Sequence, residues 1–245
     1  MKTLSDLNIV CLIPARGGSK GIPRKNLVEV GGSPMLAWSI DRGLRSKYIR
    51  GQVYVTSDSP EILAVTKRYG GREVLRPPEF STDTATSESA LLHALDQAED
   101  EIGRAADYVV FLQPTSPVRR PNELDLAIEK LAQEGADSLL SVRPMKDYFI
   151  WGQTQLGGTL SHIGLNFDYR NRKRRQEIET TYLENGSLYV FKPELLRNEG
   201  NRLGGRIALH EMDFAHSFQI DNQEDIDLCD YFLKRFYHGQ VKAAE

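Results

Sequence analysis

Ile9-Val-Cys-Leu-Ile-Pro-Ala-Arg-Gly-Gly-Ser-Lys-Gly-Ile-Pro-Arg-Lys-Asn26 opens with an unbroken apolar run that reads as a short, fully buried strand. The run stops at Pro14 and gives way to a loop with three glycines and four cations, Arg16, Lys20, Arg24 and Lys25. Glycine lets backbone N–H groups approach an oxyanion closely, and cations with small polar neighbours complete a phosphate cradle. A loop at the carboxyl end of a first strand is also where open α/β sheets place their ligands. The expectation is therefore a triphosphate at this point. Two ordinary phosphate motifs are excluded. A Walker loop needs Gly-Lys-Ser/Thr, and the order here is Ser19-Lys20-Gly21. A dinucleotide fingerprint opens directly into a helix, whereas this loop leads to a short extended piece, Leu27–Val30, and then Gly31-Gly32. The plainer alternative is a basic surface loop, which rarely follows a buried first strand.

Working outward, strand and helix signals alternate. Ser33-Pro34 reads as a helix start, with Ser33 accepting from orphan amides and Pro34 at the first helical position. Leu36, Ile40 and Leu44 then share one face. Val53–Thr56 is a strand, and Ser59-Pro60 repeats the cap-plus-proline device before a helix through Tyr69. Arg72–Leu75 is a strand, a helix runs from about Ser87 to Ile102, and Tyr108–Leu112 is the most apolar strand. The lead-in to that helix puts Asp83 or Thr84 near its cap. Leu124, Ala127, Ile128 and Leu131 mark the next helix, followed by the strand Asp137–Val142. This alternation predicts an α/β fold, an open and mostly parallel sheet with helices on both faces. From about Pro144 to Leu183 the alternation breaks into aromatic clusters, a Gly157-Gly158 turn and a basic run. That segment reads as an inserted arm, partly β-hairpin, and its aromatics make it an interface candidate. Asn185-Gly186 is a turn feeding a strand, Pro193 starts a short helix, and Ile207–Met212 is a further strand. A last helix carries Ile226, Cys229, Leu233 and Phe236 on one face, with Asn222 and Asp225 as an N-cap pair. Asp221 lies just before that cap, at a strand's end, where a carboxylate could hold Mg²⁺.

The 245 residues suit one large α/β domain or two small ones, and 31 basic against 34 acidic residues give a net charge of −3. That balance argues against a nucleic-acid binder, and the two cysteines, Cys11 and Cys229, read as reduced packing residues. With neither a signal-peptide core nor a membrane-length apolar run, the expectation is a soluble cytoplasmic protein without membrane or nucleic-acid partners. The run Arg170-Asn-Arg-Lys-Arg-Arg175 reads as a solvated face, a nucleic-acid patch or a clamp for a carboxylated substrate. Among the five histidines none falls in a shared motif, and none is given a role.

The Pro14–Asn26 run closely resembles the nucleotide-binding signature of the acylneuraminate cytidylyltransferases, the CMP–sialic acid synthetase family. Leu75-Arg-Pro-Pro78 with Asp83-Thr84, Leu112-Gln-Pro-Thr-Ser-Pro117, Arg175-Gln176 and Asn185-Gly-Ser-Leu-Tyr189 extend the resemblance over nearly the whole chain. It implies a single Rossmann-like nucleotidyltransferase domain over residues 1–245, with a dimerisation and substrate arm at about 144–183. The implied reaction joins CTP and a nine-carbon 2-keto-3-deoxy sugar acid into a CMP-sugar and pyrophosphate, in a homodimer, with Mg²⁺ as cofactor. It assigns Lys20, Lys25 and Asp221 to catalysis, the last also to the metal. Arg16, Gly18, Ser19, Asn26, Arg76 and Ser87 would hold the nucleotide, and Gln113, Arg175, Gln176, Asn185 and Tyr189 the sugar. One departure stands out: relatives show Asp-Ile-Asp where this chain reads Gln219-Ile220-Asp221. Two alternatives accompany this reading. A 3-deoxy-manno-octulosonate cytidylyltransferase has a different first loop, and a non-catalytic nucleotide-binding relative is motivated by Gln219.

Overall fold

The computed structural model describes residues 3–18, 21–81, 86–145, 149–237 and 241–244. The elements in chain order are β1 (Ile9–Pro14), β2 (Glu29–Val30), β3 (Ser33–Pro34), α1 (Met35–Arg45), β4 (Val53–Ser57), α2 (Pro60–Arg68) and β5 (Arg72–Leu75). There follow α3 (Ser87–Ile102), β6 (Tyr108–Leu112), α4 (Glu123–Glu134), β7 (Ser138–Met145), β8 (Trp151–Leu156), β9 (Thr159–Gly164), β10 (Thr181–Phe191), α5 (Pro193–Glu199), β11 (Ile207–Glu211) and α6 (Gln223–Tyr237).

Seven strands form one sheet in the order β11-β7-β10-β6-β1-β4-β5. All run parallel except β10, which pairs antiparallel with both β6 and β7. The expectation of a mostly parallel sheet with helices on both faces is met. The first strand is buried because neighbours and helices enclose it on every side. Cys11 and Ile13 pack with Leu36 and Ile40 of α1 and Leu131 of α4, while Val10 and Leu12 meet Leu91 and Leu95 of α3. Each such buried leucine or isoleucine contributes about 1.5–3 kcal/mol. From β1 the chain steps outward to β4 and β5, then returns through α3 to place β6 on the other side of β1. The sheet thus reverses direction between β1 and β6, where open α/β sheets form a ligand crevice.

Several local expectations change. Ser33 does not cap α1: it pairs with Val30 in a short antiparallel ladder, and its hydroxyl accepts from the Val241 N–H at 3.0 Å. Ser59 does cap α2, accepting from Ile62 N–H. Asp83 and Thr84 lie outside the described residues, and the α3 cap is Thr86, whose hydroxyl accepts from Ser89 N–H at 3.2 Å. Asn185-Gly186 is not a turn before a strand but a bulge within the long β10, between Glu184 and Tyr189. Gly186 sits at φ +65°, in the left-handed region that glycine occupies without steric cost. On α6, Ile226, Cys229 and Leu233 are buried as expected, but Phe236 is exposed. Its N-terminus carries the predicted reciprocal cap, Asn222 N–H to Asp225 Oδ2 and Asp225 N–H to Asn222 Oδ1, both 3.0 Å. The helix lies so close to Gly31 that a Cβ there would stand 2.7 Å from that of Leu233, and Asp230 accepts the Gly31 N–H at 2.8 Å.

Beyond the sheet, β7 and β10 continue as a ribbon through Thr181↔Met145, and the antiparallel pair β8–β9 projects from it. Gly157 and Gly158, both at positive φ, close that hairpin as the sequence suggested. Ile150, Trp151, Leu156, Leu160 and Ile163 stand exposed on this segment. Among the described residues no helix is long and apolar enough to cross a membrane.

Candidate active site

A cavity of about 650 Å³ opens at the reversal between β1 and β6. Its near wall is the loop after β1. Arg16, Gly18, Gly21, Lys25 and Asn26 all face it. The loop is fastened from three sides. Gly17 N–H donates to Asp58 Oδ1 at 2.8 Å, Asn26 Nδ2 donates to the Arg16 carbonyl at 3.0 Å, and Gly21 packs beside the Asp221 carbonyl. Of the loop's described cations, Arg24 turns outward to pair with Glu61 of α2 at 2.6 Å. Ser19 and Lys20, both expected at the phosphates, lie outside the described residues.

The far wall is the amino end of α3, with Thr86, Ser87 and Ala90. The first turn of a helix presents unpaired N–H groups and a positive dipole end, a favourable place for an anion. At the end of β5, Arg76 is almost fully buried, with Nη2 donating to the Thr56 carbonyl at 2.7 Å and Nε to Thr56 Oγ1 at 3.2 Å. Burial pulls its pKa down, with the Asp58 charge opposing and Arg16 adding to the effect. The base of the cavity is Phe111 and Gln113, Pro114 and Thr115 from the turn after β6.

The only carboxylate among the described lining residues is Asp221, held against the loop after β1. Lys25 Nζ donates to its Oδ1 and to the Ile220 carbonyl, each at 3.0 Å. Ile220 N–H in turn donates to the Thr115 carbonyl at 2.8 Å, tying the loop before α6 to the turn after β6. Gln219 is committed elsewhere: its Nε2 donates to the Asn185 carbonyl at 2.7 Å, against Gly186.

Eight of the predicted site residues therefore line one cavity: Arg16, Gly18, Lys25, Asn26, Arg76, Ser87, Gln113 and Asp221. Of the other predicted residues with described side chains, Asn185, Tyr189 and Gln176 are not among the cavity's lining residues. Asn185 is buried, with its Oδ1 accepting from Ser141 Oγ at 2.6 Å and Ser187 N–H at 3.1 Å. Tyr189 is buried against Phe111, ring centroids 5.3 Å apart, and its hydroxyl bonds Glu184. Burial pushes that phenol up to about 12. Gln176 sits exposed on a short 3-10 turn in the arm, and of Arg175 only the backbone is described. In the basic run, Arg170 and Arg172 cover the rings of Tyr169 and Phe149.

Sequence reading missed Arg119. Fully buried, it donates Nε to Ser187 Oγ (2.9 Å), Nη1 to Ser39 Oγ (2.9 Å) and Nη2 to the carbonyls of Gln113 (2.7 Å) and Ser187 (2.6 Å). It thus joins α1, the turn after β6 and the β10 bulge beneath the cavity. Burial lowers its pKa to about 9, so the guanidinium stays charged at neutral pH. Thr86 and Thr115 were also missed as lining residues, although both stand in hydroxyl-rich stretches at strand or helix ends.

A reversed parallel sheet whose crevice gathers, among the described residues, three cations, a helix amino end and one carboxylate is an α/β fold with an anion-receptive crevice. Within that class, residues 10–235 match the family model described as cytidylyltransferase, and the chain belongs to that family. It is 33% identical over 238 residues to the N-acylneuraminate cytidylyltransferase of Oncorhynchus mykiss, covering 96% of this chain and 52% of that protein. It is 28% identical to the post-translational flagellin modification protein B of Campylobacter coli, covering 92% and 95%. The chain spans about half the length of the first of these. Among solved structures, CMP:2-keto-3-deoxy-manno-octonic acid synthetase complexed with CTP superposes with a TM-score of 0.69 at 16% identity, covering 93% of this chain and 99% of that one. That likeness concerns the fold.

Proposed function

We propose that this protein transfers CMP from CTP to the anomeric hydroxyl of a nonulosonic, sialic-acid-like 2-keto-3-deoxy sugar acid. The observation that carries this reading is the single cavity uniting Arg16, Lys25, Arg76 and the start of α3 with Gln113 and Asp221. The relatives named for N-acylneuraminate support the nine-carbon acid as acceptor. In the reaction, the anomeric oxygen forms a bond to the α-phosphorus and the bond to the β-phosphate bridge breaks. Pyrophosphate leaves, and the hydroxyl proton passes to solvent. Such chemistry is mostly positioning and charge neutralisation. Arg16, the α3 N–H groups and, outside the described residues, Ser19 and Lys20 would hold the triphosphate. Arg76, kept rigid by Thr56, would fix its orientation, and Lys25 would offset charge on the transferred phosphoryl group. Gln113 would meet the sugar, with Arg175 and Gln176 of the arm on its carboxylate.

Asp221 fits Mg²⁺ binding. Its carboxylate faces the cavity and is 73% exposed, and Mg²⁺ keeps waters and needs only one or two carboxylates besides substrate phosphates. When bound there, the ion would polarise phosphate oxygens and acidify the attacking hydroxyl. We further propose a homodimer formed through the arm, supported by the apolar side chains exposed there.

The test is pyrophosphate release from CTP with Mg²⁺ and a panel of acceptors: N-acetylneuraminate, its deaminated form, legionaminate, pseudaminate and 3-deoxy-manno-octulosonate. Turnover of a nine-carbon acid is expected. Turnover of the eight-carbon acid alone would favour a 3-deoxy-manno-octulosonate cytidylyltransferase instead. CTP binding with no turnover of any acceptor would mark a nucleotide-binding relative.

A further inference from the structure

The side of the crevice formed by β6 and β10 carries a cation that the triphosphate cradle does not include. Arg202 lies between α5 and β11, in a turn pinned by bonds from Leu203 N–H to Asn201 Oδ1 (3.0 Å) and from Gly204 N–H to Ser138 Oγ of β7 (3.1 Å). Its guanidinium stands over two rings, 4.5 Å from the centre of Tyr189 and 5.5 Å from that of Phe111, the aromatic in the base of the cavity. Its Nη1 donates to Glu88, which follows the lining residue Ser87 at the start of α3. The side chain is 22% exposed, while its Nε is buried and has no hydrogen-bond partner among the described residues. An arginine carries five N–H donors in a rigid plane and no acceptor.

This arrangement changes what a second substrate would meet. Tyr189, which the family resemblance assigns to the sugar, lies beneath the guanidinium, and its hydroxyl is bonded to Glu184. Arg16 and Lys25 belong to the loop after β1 and draw the triphosphate toward that wall. The acceptor is left with the β6–β10 side, at Phe111 and Gln113. There Arg202 borders the cavity, resting on the rings, and Glu88 balances part of its charge. The acid's carboxylate sits on the anomeric carbon, at the reacting end, whereas Arg202 is at the margin, where the acid's other end falls. We infer that Arg202 selects the acceptor, donating to an oxygen on the ring substituents remote from the carboxylate. The inference rests on the function proposed above and adds a residue that reads the acceptor's identity. An acid without that oxygen would leave guanidinium donors unpaired beside buried rings, and unpaired donors are what give a polar site its discrimination.

The experiment measures pyrophosphate release with CTP, Mg²⁺ and N-acetylneuraminate, its deaminated form or legionaminate, in wild type, Arg202→Met and Arg202→Lys, with a thermal melt of each. Methionine keeps an unbranched stem over the rings and removes the charge and the donors. Arg202→Met is expected to lower kcat/KM for the acid that wild type prefers by roughly 10–100-fold, with the KM for CTP unchanged. The ratios of kcat/KM among the acids should shrink toward equality, and Arg202→Lys, which keeps the charge but not the planar fork, should fall between. Such a ratio does not depend on how much of a variant is folded. Ratios that stay at their wild-type values in both variants would overturn the inference, because an arginine that only packs, or one that grips the carboxylate common to all the acids, lowers every rate alike. Equal kcat/KM on all three acids in wild type would also overturn it, as would a KM for CTP that rises with that for the acid. Those outcomes leave the nucleotide reading intact. A wild type that releases no pyrophosphate with any acid would sink that reading, and the role of Arg202 with it.

Discussion

Arg119 is the bulkiest of the fully buried side chains, and its guanidinium is satisfied by two serine hydroxyls and two carbonyls. Removing it strands those acceptors in the interior, each at a cost of about 1–3 kcal/mol. Arg119→Met is therefore expected to destabilise the protein by about 3 kcal/mol or more, read as a lowered denaturant midpoint at unchanged m-value. No pattern in the sequence distinguishes this arginine from the adjacent Arg120, which pairs with Asp213 at the surface. Only the return of β10 beside β6 encloses one and leaves the other out. The cysteines were legible, because both fall at core-facing positions of apolar segments. Burial pushes each thiol up to about 12, with the Arg119 charge opposing at Cys11 and Asp225 adding to the effect at Cys229. Neither should react with a disulfide reagent in native buffer, and both should react in guanidinium.

At the scale of elements, α6 is held at both ends. Its start carries the Asn222–Asp225 cap, and near its end Tyr237 meets His216 Nε2 at 2.7 Å, while His216 Nδ1 meets Asp213 Oδ1 at 2.5 Å. Partial burial acts to raise the Asp213 pKa, but the bonds to His216 and Arg120 outweigh it and hold the carboxyl below its ordinary value. A carboxylate lowered on folding stabilises the native state above its unfolded pKa of about 4, and the gain is lost as pH falls through the folded value. The melting-temperature gap between wild type and Asp213→Asn should therefore be constant near neutrality and close below about pH 4. Periodicity located nearly every helix and strand because the core-facing residues recur at helical or strand spacing. It could not give the direction of β10, since side-chain alternation is the same in parallel and antiparallel strands. Nor could it separate a turn from a bulge at Asn185-Gly186, because glycine at positive φ serves both.

For the whole molecule, the cavity residues legible in the sequence are those on loops at strand ends, brought together by the reversal between β1 and β6. Of the residues proposed for the sugar, Asn185 and Tyr189 lie in the sheet interior and Gln176 on the arm, away from the cavity lining, positions that strand and turn patterns do not reveal. A second chain packed against the arm would account for the exposed Trp151, Leu156 and Leu160, and light scattering should give a dimer mass. Trp151→Glu, which puts a charge on that surface, is expected to shift the mass toward monomer. The strand that opposes all its neighbours has one more consequence. β10 begins in the arm's ribbon at Thr181, passes the Asn185–Gly186 bulge beside Gln113 and ends in the core at Phe191. A tug on the projecting hairpin is thus delivered along a single backbone to the floor of the crevice, so crowding or crosslinking at the tip should register as altered amide exchange around Ser187.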